Sequence, residues 1–140
     1  MCIRDRGYSF RGHIPERDGI LSGLYILSMM VKLGKKPSEL IELLYETVGP
    51  HYYDRVDVKT DPAQHDATIA KLASIEPRLL AGREVSSIDT QDGFRFLLSD
   101  GSWSLIRFSG TEPLMRVYCE ASSPARVQEL LAETQKLIDL

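Results

Sequence analysis

Arg107 and Arg116 bracket the stretch Arg107-Phe108-Ser109-Gly110-Thr111-Glu112-Pro113-Leu114-Met115-Arg116, and the residue types between them are those that hold an anion. A guanidinium offers planar, charge-assisted N–H pairs that match phosphate oxygens. A glycine lets the chain turn tightly enough to aim backbone N–H groups at one point. The hydroxyls of Ser109 and Thr111 add donors at matching range. Arg107, Ser109, Gly110, Thr111 and Arg116 are therefore the candidate phosphate-binding residues. On local pattern alone the same letters also describe an ordinary turn between two strands with solvated charges at its ends, and both readings stand at this point.

Other chemistry-bearing residues are sparser. His13 and Arg17 sit four residues apart just before a helical pattern, a spacing that on its own favours a surface loop and a cap-region charge. No carboxylate or nucleophile in the sequence is placed to orient His13, which makes a proton-transfer role the weaker reading. Asp54 and Asp57 could share a metal, but on a strand they read as a solvated edge, and His65-Asp66 reads the same way. No Gly-x-Gly-x-x-Gly, Walker loop, His-Glu-x-x-His or paired-cysteine zinc spacing occurs. No metal ligands are assigned. Cys2 and Cys119 are the only cysteines, and reduced thiols account for them.

The elements that must position these residues follow from periodicity. Residues 1–6 offer neither a helical stripe nor strand alternation and read as a disordered or non-native start. Asp18 is placed as an N-cap, and Ile20, Leu24, Leu27 and Val31 recur at helical spacing until Gly34 stops the helix. A second helix starts near Pro37-Ser38, buries Leu40, Ile41, Leu44 and Val48, and ends at Gly49-Pro50. Two such helices cannot cover their stripes alone. A boundary falls within residues 49–54. Arg55 to Lys59 alternates like a half-buried strand, and Asp61-Pro62 opens a short helix. Glu84 to Thr90, Phe94 to Leu98 and Trp103 to Phe108 read as strands joined by Gln91-Asp92-Gly93 and Asp100-Gly101 hairpins. The strand after the arginine turn puts Met115, Val117, Cys119 and Ala121 on one face and Arg116, Tyr118 and Glu120 on the other. Ser123-Pro124 caps a final helix with Val127, Leu130, Leu131, Thr134 and Ile138 inward. The pattern predicts an α+β domain with helices on one face of an antiparallel sheet.

At 140 residues the chain holds one ordinary domain, or a small domain and part of another. Its formal net charge of −3 supplies no global field for nucleic acid or an anionic membrane, so any anion site is local. No apolar run approaches the ~18 residues of a membrane span. Trp103 and the tyrosines read as sheet packing rather than as a base-stacking platform.

The run Arg107 to Glu120, Arg-Phe-Ser-Gly-Thr-Glu-Pro-Leu-Met-Arg-Val-Tyr-Cys-Glu, resembles the phosphate-binding loop of the last domain of the α-D-phosphohexomutases, the phosphoglucomutase and phosphomannomutase family. His13, Arg17, Asp18 and Gly19 are similar to that family's His-x-x-x-Lys/Arg-Asp-Gly segment, which implies substrate contacts for His13 and Arg17. The resemblance implies that residues 54–140 form the family's fourth domain, with a TATA-binding-protein-like fold. Residues 7–53 would be the C-terminal remnant of its third, α/β domain. It implies an enzyme that interconverts hexose 1-phosphate and hexose 6-phosphate through a phosphoserine and a bisphosphate, with Mg2+ as cofactor and hexose 1,6-bisphosphate as activator and intermediate. The implied partners are the hexose phosphate and the N-terminal domains of the same protein, with no nucleic acid and no membrane, in the cytoplasm. The sequence departs from the family in lacking the Ser-His-Asn-Pro nucleophile loop, the Asp-x-Asp-Gly-Asp magnesium loop and the Glu-x-Ser sugar loop. The expectation is a C-terminal fragment with no catalytic residue of its own, no metal ligands and no mutase activity alone. Whether the hexose is glucose, mannose or glucosamine stays open. A stand-alone phosphate- or phosphosugar-binding module without catalysis is the alternative, and a nucleic-acid binder using the sheet face is disfavoured by the acidic balance.

Overall fold

The computed structural model describes residues 2–3, 7–14, 16–109 and 113–138. The chain divides into two units, Met1–Gly49 and Pro50–Leu140.

In the first unit, β1 (Cys2–Ile3) pairs antiparallel with β2 (Gly7–Tyr8), where the sequence pattern gave residues 1–6 no regular structure. Two-residue strands are too short to show alternation. Helix α1 (Gly19–Leu33) begins where Asp18 Oδ1 accepts the Leu21 N–H at 2.8 Å and ends at Gly34, whose φ of +61° is the left-handed conformation glycine tolerates. Helix α2 (Pro37–Val48) starts with the Glu39 carboxylate accepting the Lys36 N–H at 2.6 Å. The expected inner stripes are not buried. Ile20 and Val31 are 80% and 76% exposed, α1 has no buried residue, and on α2 only Leu40 is covered while Ile41, Leu44 and Val48 lie open. A helix hides a full stripe only under another layer. The described residues of this unit supply no layer beyond the short β1–β2 ladder.

The second unit is built on a six-stranded antiparallel sheet. Its strands are β3 (Tyr52–Lys59), β4 (Leu79–Leu80), β5 (Arg83–Asp89), β6 (Phe94–Leu98), β7 (Trp103–Phe108) and β8 (Leu114–Ala121), in the spatial order β3-β8-β7-β6-β5-β4. A 3₁₀ turn over Pro62–Gln64 leads into α3 (His65–Ser74), and α4 (Pro124–Leu137) closes the unit from a Ser123 cap. The antiparallel sheet with its helices is the α+β arrangement that the sequence pattern predicts. Strand β4 escaped that reading. It is joined to β5 by Ala81 and Gly82 with φ of +48° and +69°, a two-residue hairpin turn made with Ala-Gly instead of the usual Asn-Gly, and the Arg126 guanidinium donates to the Ala81 carbonyl.

Alternation along β6, β7 and β8 sends Phe96, Leu98, Ile106, Met115, Val117 and Cys119 to one face, where they meet Val127, Leu130 and Leu131 of α4. Covering one large aliphatic or aromatic side chain in this way stabilises by ~1.5–3 kcal/mol, so this layer holds the unit together. The Ser104 and Thr134 hydroxyls buried within it are paired. Ser104 Oγ and Thr134 Oγ1 lie 2.8 Å apart, and Thr134 also donates to the Leu130 carbonyl at 2.7 Å. Burial beside them pushes the Cys119 thiol up to about 11, so it stays neutral and acts as a packing group.

Candidate functional site

The opposite face of the sheet carries the arginines. Register makes Arg107 of β7 and Arg116 of β8 direct cross-strand partners, so both side chains leave the same face at the same level. Their side chains are only 21% and 29% exposed. Arg107 Nε lies 3.6 Å from Asp92 Oδ1, and Arg116 Nε lies 3.7 Å from Asp57 Oδ2. Asp57 is the β3 partner of Arg116, and its other oxygen stands 3.3 Å from Arg55 Nε. A row of charges thus crosses the sheet in the order Asp57, Arg116, Arg107, with Asp92 at the far end from the turn between β5 and β6.

The turn between β7 and β8 joins the two arginines. The Ser109 N–H donates to the Leu114 carbonyl at 2.8 Å, which continues the ladder one step past Phe108 and leaves Ser109 its hydroxyl, not its amide, for a ligand. The Thr60 N–H donates to the Pro113 carbonyl at 3.0 Å and ties the far side of the turn to the end of β3. Gly110 and Thr111 lie outside the described residues. The ring of His65 packs edge-on to Phe108 with centroids 4.7 Å apart, and its Nδ1 is 3.2 Å from Asp66 Oδ1.

His13 and Arg17 belong to the first unit, both exposed. His13 corrects the sequence expectation that no carboxylate orients it. Its Nε2 is 2.9 Å from Asp18 Oδ2, while the other oxygen of the same carboxylate caps α1. The Leu21 amide and then the His13 contact hold the Asp18 carboxyl below its ordinary value. The five-residue separation of His13 and Asp18 fits no helical or strand period, and the His13 N–H itself donates to the Phe10 carbonyl at 3.1 Å.

Asp54 and Asp57, three apart on β3, take opposite faces. Asp54 accepts from Gln128 Nε2 of α4 at 2.8 Å, whereas Asp57 joins the arginine row, so they share no ligand. Among the described residues no three His, Cys, Asp or Glu side chains converge as a metal site, and the donor set here fits no Mg2+. Sequence reading missed Asp57 and Asp92 as neighbours of the arginines. Alternation places Asp57 on a face, but that β3 lies beside β8 is a long-range pairing with no local signal.

Residues 55–137 match the family described as phosphoglucomutase/phosphomannomutase, C-terminal domain, and residues 6–48 match its alpha/beta/alpha domain III. A phosphoglucomutase/phosphomannomutase of Thermococcus kodakarensis is 35% identical over 133 residues, 95% of this chain and 27% of that protein. A phosphoglucosamine mutase of Methanococcus aeolicus is 38% identical over 123 residues, covering 86% of this chain and 25% of that protein, and a phosphopentomutase of Thermococcus kodakarensis is 36% identical over 104 residues, 74% and 23%. The chain thus spans about a quarter of the length of the curated relatives it matches. A crystal structure of a phosphoglucomutase/phosphomannomutase family protein from Burkholderia thailandensis shares the fold, with a TM-score of 0.62 at 20% identity over 96% of this chain and 25% of that one.

Proposed function

Because the chain belongs to the phosphoglucomutase/phosphomannomutase family, we propose that it is the C-terminal part of a phosphohexomutase and that its turn between β7 and β8 grips the substrate phosphate. The observation that carries this reading is the direct cross-strand pairing of Arg107 and Arg116 on one open sheet face, at the mouth of the turn that contains Ser109, Gly110 and Thr111. Two guanidinium forks on neighbouring strands can offer charge-assisted hydrogen bonds to one phosphoryl dianion and ignore the ring behind it. That indifference suits the reaction. The enzyme moves a phosphoryl group between C1 and C6 through a phosphoserine and a hexose 1,6-bisphosphate that turns around, so the grip on the unreacting phosphate must serve two orientations of one sugar. The relatives are named for glucose, mannose, glucosamine and pentose substrates, as fits a phosphate grip that leaves the choice of sugar to other parts of the enzyme.

The nucleophilic serine and the Mg2+ ligands of the complete cytoplasmic enzyme would come from outside these 140 residues, and the chain alone does not turn over glucose 1-phosphate. The resemblance alone supports His13 and Arg17 as substrate contacts. Titrating the 140-residue chain with glucose 6-phosphate by nuclear magnetic resonance tests the reading. Arg107→Ala and Arg116→Ala should each weaken binding about tenfold or more, the scale of a lost hydrogen bond to a charged group. Tyr118→Ala should change it less, and Arg17→Ala reads the contact assigned to the first unit. Equal affinities in the arginine variants and the parent would refute the grip, and turnover of glucose 1-phosphate by this chain alone would refute the division of labour.

A further inference from the structure

Like charges directly opposite each other on neighbouring antiparallel strands destabilise the ladder, and Arg107 and Arg116 are such a pair. Here the repulsion is answered from both flanks. Asp57 stands beyond Arg116 on β3 and Asp92 beyond Arg107 on the turn before β6, so the row reads negative, positive, positive, negative. Both carboxylates approach the same part of their arginine. Each lies at ion-pair range of Nε, 3.7 Å for Asp57 and 3.6 Å for Asp92, so these contacts are ion pairs and not hydrogen bonds. A guanidinium is a rigid plane, so an opposite charge held beside its Nε edge biases the direction of the whole fork. Asp57 is itself steadied, because its second oxygen holds Arg55 Nε at 3.3 Å. Asp92 is steadied by the turn next to it. A Cβ at Gly93 would stand 2.4 Å from the Ile106 carbonyl and 3.3 Å from Arg107 Cβ, so the turn lies tight against the backbone that carries Arg107.

We propose that Asp57 and Asp92 are positioning residues for phosphate capture, each orienting one arginine by its Nε edge so that the two forks address a single phosphoryl group. The inference rests on the phosphate reading of the turn. It has a sign that separates it from simple electrostatics. A carboxylate near an anion site lowers the positive potential there, so if Asp57 and Asp92 acted only as charges, neutralising them would tighten phosphate binding about twofold. If they position the arginines, neutralising them removes one restraint on a rotamer-rich side chain whose order must be restored on binding, and affinity falls about fivefold.

The experiment titrates the full 140-residue chain with inorganic phosphate and follows the arginine Nε–H signals. Asp57→Asn and Asp92→Asn should each bind phosphate about fivefold more weakly. The order parameter of the Arg116 Nε–H should fall in the first and that of the Arg107 Nε–H in the second, and Asp57→Glu should recover part of the loss. In the unsubstituted protein both Nε–H groups should be more ordered than that of the exposed Arg78, a comparison that needs no variant to fold. Unchanged or tighter binding in the Asn variants, or Nε–H groups as mobile as that of Arg78, would overturn the positioning role. Arg107→Ala and Arg116→Ala run alongside. If they too bind phosphate as the parent does, it is the phosphate reading that has failed; if they lose binding while the Asn variants keep it, only the positioning role has.

Discussion

Asp100 shows how much a single turn residue can carry on this scaffold. It sits between β6 and β7, where its Oδ1 accepts the Ser102 N–H at 3.0 Å and the Ser102 hydroxyl as well. Its Oδ2 lies 3.3 Å from Arg83 Nε and 3.6 Å from Arg126 Nη2, which links the turn to β5 and to α4. Burial resists its ionisation, but the Ser102 hydroxyl and amide, followed by the charges of Arg126 and Arg83, outweigh that and hold the carboxyl below its ordinary 3.8. The sign of the linkage follows. A carboxylate whose folded value is depressed adds stability above the unfolded value, near pH 4, and loses it as pH falls through the folded one. Asp100→Asn should therefore lower the melting temperature at pH 7 by about 5 °C, corresponding to ~1 kcal/mol in a domain of this size. The gap between variant and parent should close as the melts are taken below the ordinary carboxylate value. A gap of the same size at every pH would show that the turn geometry, and not the charge, carries the effect.

At the level of elements, the hairpin between β5 and β6 has the tightest steric requirement. Gly93 has φ of +102°, and a Cβ there would stand 2.4 Å from a carbonyl oxygen of β7, a distance that real Cβ atoms do not adopt. Gly93→Ala should cost about 2–4 kcal/mol from the backbone conformation and the forced shift together, read as a lower urea midpoint at unchanged slope. An Ala variant as stable as the parent would mean that the turn can relax away from β7. This hairpin was legible in the sequence because Gln91-Asp92-Gly93 is a turn signal between two alternating runs. The spans Phe94–Leu98 and Trp103–Phe108 and the inner stripe of α4 were legible for the same kind of reason, since strict periods of 2 and 3.6 survive when one face is fully buried. What could not be read depends on contacts far apart in sequence. Asp57 meets Arg116 because β3 inserts beside β8, β4 pairs with β5 across a turn in which Ala81 takes a left-handed conformation, and His13 meets Asp18 at a separation of no regular period. The arginine pair itself was half legible. The turn and its flanking charges are in the letters, whereas their equal level on one face comes from the register.

Taken as a whole, the molecule distributes its core unevenly. Every buried hydrophobic among the described residues except Leu40 belongs to the second unit, and the open apolar side chains of α1 and α2 belong to the first. Local opening free energy follows buried apolar contact, so the two units should not share one stability. Amide exchange should be slow in β6, β7, β8 and α4, where the ladder and the Leu130 layer are covered, and fast throughout α1 and α2, whose hydrogen bonds lie under little else. Trypsin should act on the same difference. Lys32 is exposed and Lys35 half-buried at the turn between the helices, so cleavage after them should precede any cut within β6 to β8 and leave a product that begins at Leu33 or Lys36. Residues 50–140 prepared separately should then unfold in one cooperative step, with a midpoint within about 3 °C of the main transition of the full chain, because almost none of the core is lost with the first unit. Equal protection of α1 and β7, or a separate second unit that melts without cooperativity, would show that the first unit contributes to that core after all.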